Sequence, residues 1–171
     1  MKKPKFCKVC KEPFYPHNSL TPICSYKCYE VWTSEKEVKK RVKEMKANLQ
    51  TLSDLESIAK IAFQAWIRKR DEGKPCISCQ THSSPVWDAG HFYPAGQYSG
   101  LIFDETNVHK QCRHCNTFRH GSLIEYRGGL ILRYGEQYLK ELEDKADRLR
   151  NKKWTRDELI AIAKEYKSRM K

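Results

Sequence analysis

The feature that most constrains this chain is the placement of its eight cysteines, which fall into four short pairs. Cys7 and Cys10 form a C-x2-C, Cys24 and Cys28 a C-x3-C, and Cys76–Cys79 and Cys112–Cys115 two further C-x2-C pairs. Such spacing sets both thiolates of a pair on one tight turn, aimed at one ion, and two pairs complete a tetrahedral zinc site. Buried apolar cysteines would not recur in four pairs at ligand spacing with none left over. Taken in chain order, Cys7, Cys10, Cys24 and Cys28 close a small N-terminal knuckle, and Cys76, Cys79, Cys112 and Cys115 clamp a larger central loop. Four thiolates leave no open coordination position, so both zinc ions are expected to be structural. His17 lies inside the first loop, but its site is already filled, and it reads as a surface residue or a support to the ligands.

Charge limits the partners. Over 171 residues, 33 lysines and arginines face 21 aspartates and glutamates, a formal net charge of +12. Polyanions are drawn to such a surface and nucleic acid is the commonest of them, the alternative being a solvated basic surface with no specific partner. No run approaches the roughly 18 apolar residues of a membrane helix. The basic Met1-Lys2-Lys3-Pro4-Lys5 is not followed by an apolar stretch, so no signal peptide is expected. A cytoplasmic protein keeps its thiols reduced, which favours metal binding over disulfides.

Punctuation and periodicity divide the chain into a knuckle over 1–33, a helical linker or arm over 34–72, a core over 73–125 and a helical region over 126–171. Pro4, Pro13, Pro16 and Pro22 mark turns in the knuckle. Ser34 can cap a lysine-rich helix over Glu35–Gln50, either a solvated spacer or a phosphate-contacting arm. Ser53 with Glu56 forms a capping-box pattern for a helix to Arg70, whose Leu55, Ile58, Ala59, Ala62, Phe63 and Trp66 recur at helical spacing. Gly73 and Pro75 stop it. The stretch from Pro85 to about Gly100 reads as a strand and then a loop marked by Pro94, Gly96 and Gly100. Leu101-Ile102-Phe103 starts a return strand ending near Gln111, and a helix opens over Cys112–Arg119. The C-terminal third reads as helices interrupted at Gly128-Gly129 and Gly135, with apolar stripes through Leu139, Leu142 and Ala146 and through Leu159, Ile162, Ala163 and Tyr166. Thr155 with Glu158 forms another capping box. The fold class is α+β and mostly helical.

Between the central cysteine pairs lies Asp88-Ala89-Gly90-His91, with Asn107 five residues before Cys112 and Asn116 directly after Cys115. This order, covering residues 76–121, resembles the zinc-clamped HNH (His-Me finger) endonucleases, in which a β-hairpin and a helix form a ββα unit. It is similar also to phage endonuclease VII, a junction-cleaving enzyme. The resemblance implies that His91 is the general base, Asn107 the central asparagine of the loop and Asn116 a metal ligand on the helix. Most of the chain resembles the phage NinG (Rap) recombination protein family, through the N-terminal knuckle, Ala65-Trp66-Ile67-Arg68-Lys69-Arg70-Asp71, Cys76-Ile77-Ser78-Cys79, Asp88-Ala89-Gly90-His91 and Asn107-Val108-His109-Lys110-Gln111-Cys112. That implies cleavage of branched recombination intermediates, such as Holliday junctions and D-loops, in the host cytoplasm.

The implied chemistry is coherent. Phosphodiester hydrolysis needs an activated water, a cation to neutralise growing charge and help for the leaving oxygen. A neutral histidine can take the water's proton near neutral pH. A Mg²⁺ or Mn²⁺ ion takes hard oxygen ligands such as the Asn116 amide. Asn107 can hold the histidine's strand in place. One departure stands out: where many members carry an acidic ligand directly before the histidine, this chain has Gly90. Asp88 is the nearest substitute, competing with a solvated or turn-capping role, and Asp104 and Glu105 are weaker ones. Lys110, Arg113, Arg119 and His120, together with Arg68, Lys69 and Arg70, are candidate phosphate contacts, which position DNA without reading it. His109 and His114 read as surface, supporting or phosphate-contacting residues and His82 as a surface residue. No helix presents a base-reading face, which suits structure-specific recognition, and symmetric cutting of a four-way junction calls for a homodimer. An HNH enzyme acting on duplex DNA and a non-catalytic zinc-dependent nucleic-acid-binding protein are the alternatives.

Overall fold

The computed structural model describes residues 4–18 and 20–171, so Met1, Lys2 and Lys3 of the basic N-terminus lie outside the described residues. The chain forms two compact units, one ending at Gln50 and the other beginning at Thr51.

In the first unit, strands β1 (Lys5–Phe6) and β2 (Pro13–Phe14) pair antiparallel, Lys5 opposite Phe14. Helix α1 then spans Tyr26–Leu49. It starts well before the expected Glu35. The Ser25 hydroxyl accepts from the backbone N–H of Cys28 at 3.3 Å, an N-cap bond that builds the last cysteine of the knuckle into the first helical turn. Ser34, expected as the cap, instead lies inside the helix and donates back to the carbonyl of Val31 at 2.9 Å.

The second unit opens with α2 (Leu52–Arg70). Its capping box sits two residues ahead of the expected Ser53–Glu56 pair: Thr51 Oγ1 accepts from Asp54 N, and the Asp54 carboxylate accepts from Thr51 N at 2.8 Å. Glu56 turns instead to Lys60, one helical turn on. The buried stripe Leu55, Ala59, Ala62, Phe63 and Ile67 packs on Leu159, Ala163 and Tyr166 of α5 (Arg156–Ser168), with the Phe63 and Tyr166 rings 4.9 Å apart, edge to face. The Thr155–Glu158 capping box expected at the start of α5 is present.

Between these helices in sequence lies an antiparallel hairpin of β3 (Trp87–His91) and β4 (Val108–Cys112), in register from Trp87 opposite Cys112 to His91 opposite Val108. Leu101-Ile102-Phe103 is not part of the return strand. The chain turns there in a short 3-10 helix, Ser99–Leu101, and the three side chains split between two apolar cores. Their hydrophobicity reports burial, not strand pairing. After β4, the expected helix over Cys112–Arg119 is a single wide π-type turn, His114–Phe118, closed by Arg119 N donating to His114 O at 3.0 Å.

Helix α3 (Leu123–Tyr134) runs straight through Gly128-Gly129, which were expected to interrupt it. The glycine serves packing: a Cβ on Gly129 would lie 1.7 Å from the carbonyl oxygen of Ile77, so only glycine lets the helix pass the cysteine loop this closely. Gly135, at φ 87°, does end α3 and leads into α4 (Glu136–Leu149), whose Leu139, Leu142 and Ala146 pack against Ile77, Leu101, Tyr126 and Leu130. The hairpin thus has an α2–α5 core on the face of Ala89 and Val108 and an α3–α4 core beyond the opposite face. Among the described residues, no helix is long and apolar enough to cross a membrane.

His109 ties that opposite face to the helices. Its Nδ1 lies 3.2 Å from the Tyr126 hydroxyl, and its Nε2 3.4 Å from that of Tyr138. Tyr126 donates to Gly90 O at 2.8 Å, so its oxygen accepts and Nδ1 carries the proton. Burial, with the nearby Arg70 charge adding, pushes the imidazole down to about 3. A histidine lowered in the fold binds fewer protons there than in the unfolded chain, where its pKa is about 6.5. Its contribution is therefore complete above that pH and is lost on acidification towards 3, by at most about 1.4 kcal/mol per pH unit. Urea unfolding at neutral and mildly acidic pH is expected to show a smaller acid-induced loss for His109→Gln than for wild type; equal losses would remove His109 as the cause.

Candidate active site and metal centres

Each cysteine quartet closes on a point. In both, Cys7, Cys10, Cys24 and Cys28 on one hand and Cys76, Cys79, Cys112 and Cys115 on the other, the four Sγ atoms lie within 4.8 Å of one another. Individual Sγ separations are 3.5 Å for Cys10–Cys24, 3.7 Å for Cys24–Cys28 and 3.7 Å for Cys79–Cys112. A tetrahedron with Zn–S bonds of about 2.3 Å has edges of roughly 3.8 Å, so the spacing fits zinc. The two C-x2-C turns that open the clusters share one geometry. Lys11 (φ 65°) and Gln80 (φ 58°) follow the second cysteine in the left-handed region, and each donates its N–H to the carbonyl of the first cysteine, at 3.0 and 3.1 Å. Backbone N–H groups also point at sulfur, from Cys112 to Cys76 Sγ at 3.4 Å and from Cys115 to Cys112 Sγ at 3.5 Å. Burial pushes the Cys7 thiol up, but backbone N–H groups of Cys10, Val9 and Cys24 outweigh it and hold it down at about 6. That favours a thiolate at Cys7, while the side-chain bonds to Cys10 and Cys7 push the neighbouring Cys24 thiol up to about 12. The second cluster joins the loop before β3 to the end of β4 and the π-type turn, clamping the hairpin at its open end.

His91 closes β3. Its Nε2 lies 3.1 Å from the carbonyl oxygen of Ile102. A carbonyl only accepts, so Nε2 must carry the hydrogen, and the lone pair of the neutral ring is left on Nδ1. Burial holds the ring below the ordinary imidazole range; the Ile102 bond pulls the other way and the Lys60 charge adds to the lowering. Asn107 is fully buried beneath the same loop. Its Oδ1 accepts from Tyr93 N at 2.8 Å, while Nδ2 donates to the carbonyls of Tyr93 and Leu101, each at 3.1 Å. Asn107 thus cross-braces the segments on either side of the loop that carries Ile102.

A second group forms on the other strand face. Asp88 accepts a two-pronged ion pair from Arg113, Nε to Oδ2 at 2.6 Å and Nη2 to Oδ1 at 2.7 Å, and its Oδ2 also accepts from Asn116 Nδ2 at 3.2 Å. So Asp88, Arg113 and Asn116 are brought together. His91 stands three residues further along β3, roughly 10 Å at about 3.3 Å per residue, and alternation turns it to the opposite face. A carboxylate beside an amide is a hard-oxygen donor set of the kind that holds Mg²⁺ or Mn²⁺. An ion there would share the Asp88 oxygens with the Arg113 fork.

The basic residues divide. Arg70 donates to both oxygens of the fully buried Asp71 (3.0 and 2.8 Å) and to the carbonyls of Glu105 and Val108 (2.8 Å each), so it is spent inside the fold. Burial alone would raise Asp71, but hydrogen bonds from Arg70 and Lys74 hold it well below the carboxylate range. Arg119 pairs with Glu125 at 2.6 Å, and His120 is exposed at a positive φ of 49°. Arg68, Lys69 and Lys110 come together in a cleft with Lys74 and His82. Asp104, one of the alternative acids, pairs with Lys145, and Glu105 with Arg169. Sequence reasoning missed Asp71, the Ile102 carbonyl and the hold of Arg113 on Asp88. No residue type announces where a carbonyl points, but Arg70-Asp71, opposite charges beside an apolar stripe, was a readable signal.

A protein-family model described as Bacteriophage Lambda NinG protein matches residues 1–171. Protein ninG of Escherichia phage 933W is 36% identical over 189 aligned positions, covering 96% of this chain and 91% of that protein. Protein ninG of Escherichia phage lambda is 43% identical over 113 positions, covering 66% of this chain and 54% of that protein, and the Salmonella phage P22 protein is 44% identical over a span of the same length. No solved structure matches. With a family model spanning the whole chain and relatives matched along nearly all of it, this chain belongs to the NinG family of phage proteins.

Proposed function

We propose that the chain is a metal-dependent endonuclease that hydrolyses phosphodiester bonds in branched DNA, of the zinc-clamped HNH kind its central motif resembles. The reading is carried by one observation: the strand-end imidazole of His91 is kept neutral by burial and held in one tautomer by the Ile102 carbonyl. A fixed neutral imidazole with its lone pair on Nδ1 is a general base ready to act near neutral pH. In the reaction, Nδ1 takes a proton from water as the hydroxide oxygen bonds to phosphorus, and the P–O bond to the leaving sugar oxygen breaks. Asn107 keeps the Ile102 loop, and so the ring, in position. Asp88 and Asn116 could hold Mg²⁺ or Mn²⁺, but they stand roughly 10 Å along the strand from His91 and on its opposite face, so an ion between them would not sit at the phosphate that His91 serves, and the step rests on the base alone. Zinc in the two cysteine clusters holds the scaffold. Cutting both strands of a four-way junction would engage two copies of the chain.

A non-catalytic nucleic-acid-binding role has two observations in its favour: the Arg113 fork spanning both oxygens of Asp88, and the placement of Asp88 and Asn116 on the strand face opposite His91. One experiment separates the readings: a labelled four-way junction and the matching linear duplex, each incubated with wild-type protein and Mg²⁺ or Mn²⁺. The junction is expected to be cut faster by about tenfold or more, some 1.4 kcal/mol of barrier. Equal rates would remove the branched-DNA claim, and no cutting of either substrate would favour the binding role.

A further inference from the structure

The basic cleft has a use that the hydrolytic site does not. It is open, about 650 Å³ in volume, and its walls carry Arg68, Lys69, Lys74 and Lys110 against the single carboxylate of Glu72. Its other close acid, Asp71, lies fully buried and is already matched by Arg70 and Lys74. Lys110 is the unusual member. It is only 7% exposed, its backbone N–H is tied to Asp71 at 3.0 Å and its ammonium sits 4.3 Å over the Trp87 ring. Among the described residues no carboxylate pairs with Lys110 or with Arg68, whereas Lys69 spends a bond on the Met170 carbonyl at 3.0 Å. Lysines are rarely buried this deeply unless paired. The stem of Lys110 is buried against Trp87 while the residue lines the open cleft, and with no carboxylate paired to it the ammonium can take an anion there.

We infer that this cleft seats the phosphate backbone of a nucleic-acid segment, with Lys110 as its floor and Arg68 and Lys69 as its rim. The seat lies beside Trp87, at the zinc-clamped end of β3, while His91 closes the other end, roughly 13 Å away along the strand. It therefore grips backbone away from the cut, as an enzyme that must hold one arm of a branched substrate requires. The inference rests on the nucleic-acid part of the proposed function and not on its hydrolytic part.

The test is binding of a fluorescent four-way junction in Ca²⁺, which leaves the zinc in place, across a range of salt concentrations. Each phosphate left without its cation lowers the slope of log affinity against log salt by about 0.9. Lys110→Met, which keeps the stem over Trp87, and the rim variants Arg68→Gln and Lys69→Gln are each expected to lower the slope by about that much. Lys164→Ala, on α5 away from the cleft, is expected to leave it unchanged. Slopes for all three cleft variants equal to wild type would overturn the inference, as they would if the cleft served an acidic polypeptide. Should Lys110→Met fail to fold, the rim variants decide alone. Wild-type protein that binds the junction through the cleft but never cuts it would sink the hydrolytic reading and leave this one standing.

Discussion

Replacing Cys112 with serine is expected to release the zinc of the second cluster and to unfold the unit from Thr51 onward. Cys112 is nearly buried, ends β4 and faces Trp87 across the hairpin, so its sulfur joins the clamp to the strand carrying His109 and Lys110. Apparent binding free energies for structural zinc run to about 10–16 kcal/mol, as large as the whole stability of an ordinary domain, about 5–15 kcal/mol. The folding free energy of this region is therefore expected to depend on the ion. Zinc analysis of the purified variant should fall from two ions per chain to one, matching the two clusters. Its thermal transition followed by circular dichroism should lose the cooperative step of the larger unit. Cys7→Ser is the control, expected to cost one zinc while sparing that step, because its cluster belongs to the separate unit ending at Gln50. A Cys112→Ser protein that kept both ions and the full transition would show that the clamp is dispensable.

The second large effect is chemical. His91→Ala is expected to lower the rate of junction cleavage by about 10²–10⁴-fold, the usual worth of a positioned general base, while junction affinity measured in Ca²⁺ stays within about twofold of wild type. The pH profile adds a sign. Burial lowers the His91 pKa, so the ring is already unprotonated at neutral pH and the acid limb of the rate profile should fall below the ordinary histidine value of about 6.5. The variant should lose that limb together with the rate. Cleavage at wild-type rate by His91→Ala would mean that another group takes the proton.

Much of the architecture was legible because its signals are local. Ligand spacing of the cysteines, the capping box at Thr155 and the stripes of α2, α4 and α5 each follow from residues within a turn or two of one another, and all are present. The errors came where a residue answers to a distant part of the chain. Gly128-Gly129 looked like a break, yet the missing side chain of Gly129 admits the Ile77 carbonyl. Leu101-Ile102-Phe103 looked like a strand, yet each side chain serves a core that exists only after folding. Arg70 looked like a phosphate contact, yet Asp71 and two carbonyls absorb it.

The candidate site divides in the same way. That thiolates in pairs would gather a metal, and that a histidine and two asparagines stand between or beside those pairs, was written in the order of residues, since short-range spacing and residue chemistry alone decide it. Which imidazole nitrogen keeps its lone pair, that Arg113 grips Asp88 and that a lysine beside Trp87 lies buried with no acid to match it were decided by tertiary structure. Each depends on a partner many positions away in the chain, and a hydrogen bond, an ion pair or a cation over a ring exists only once folding has brought both groups to the same place.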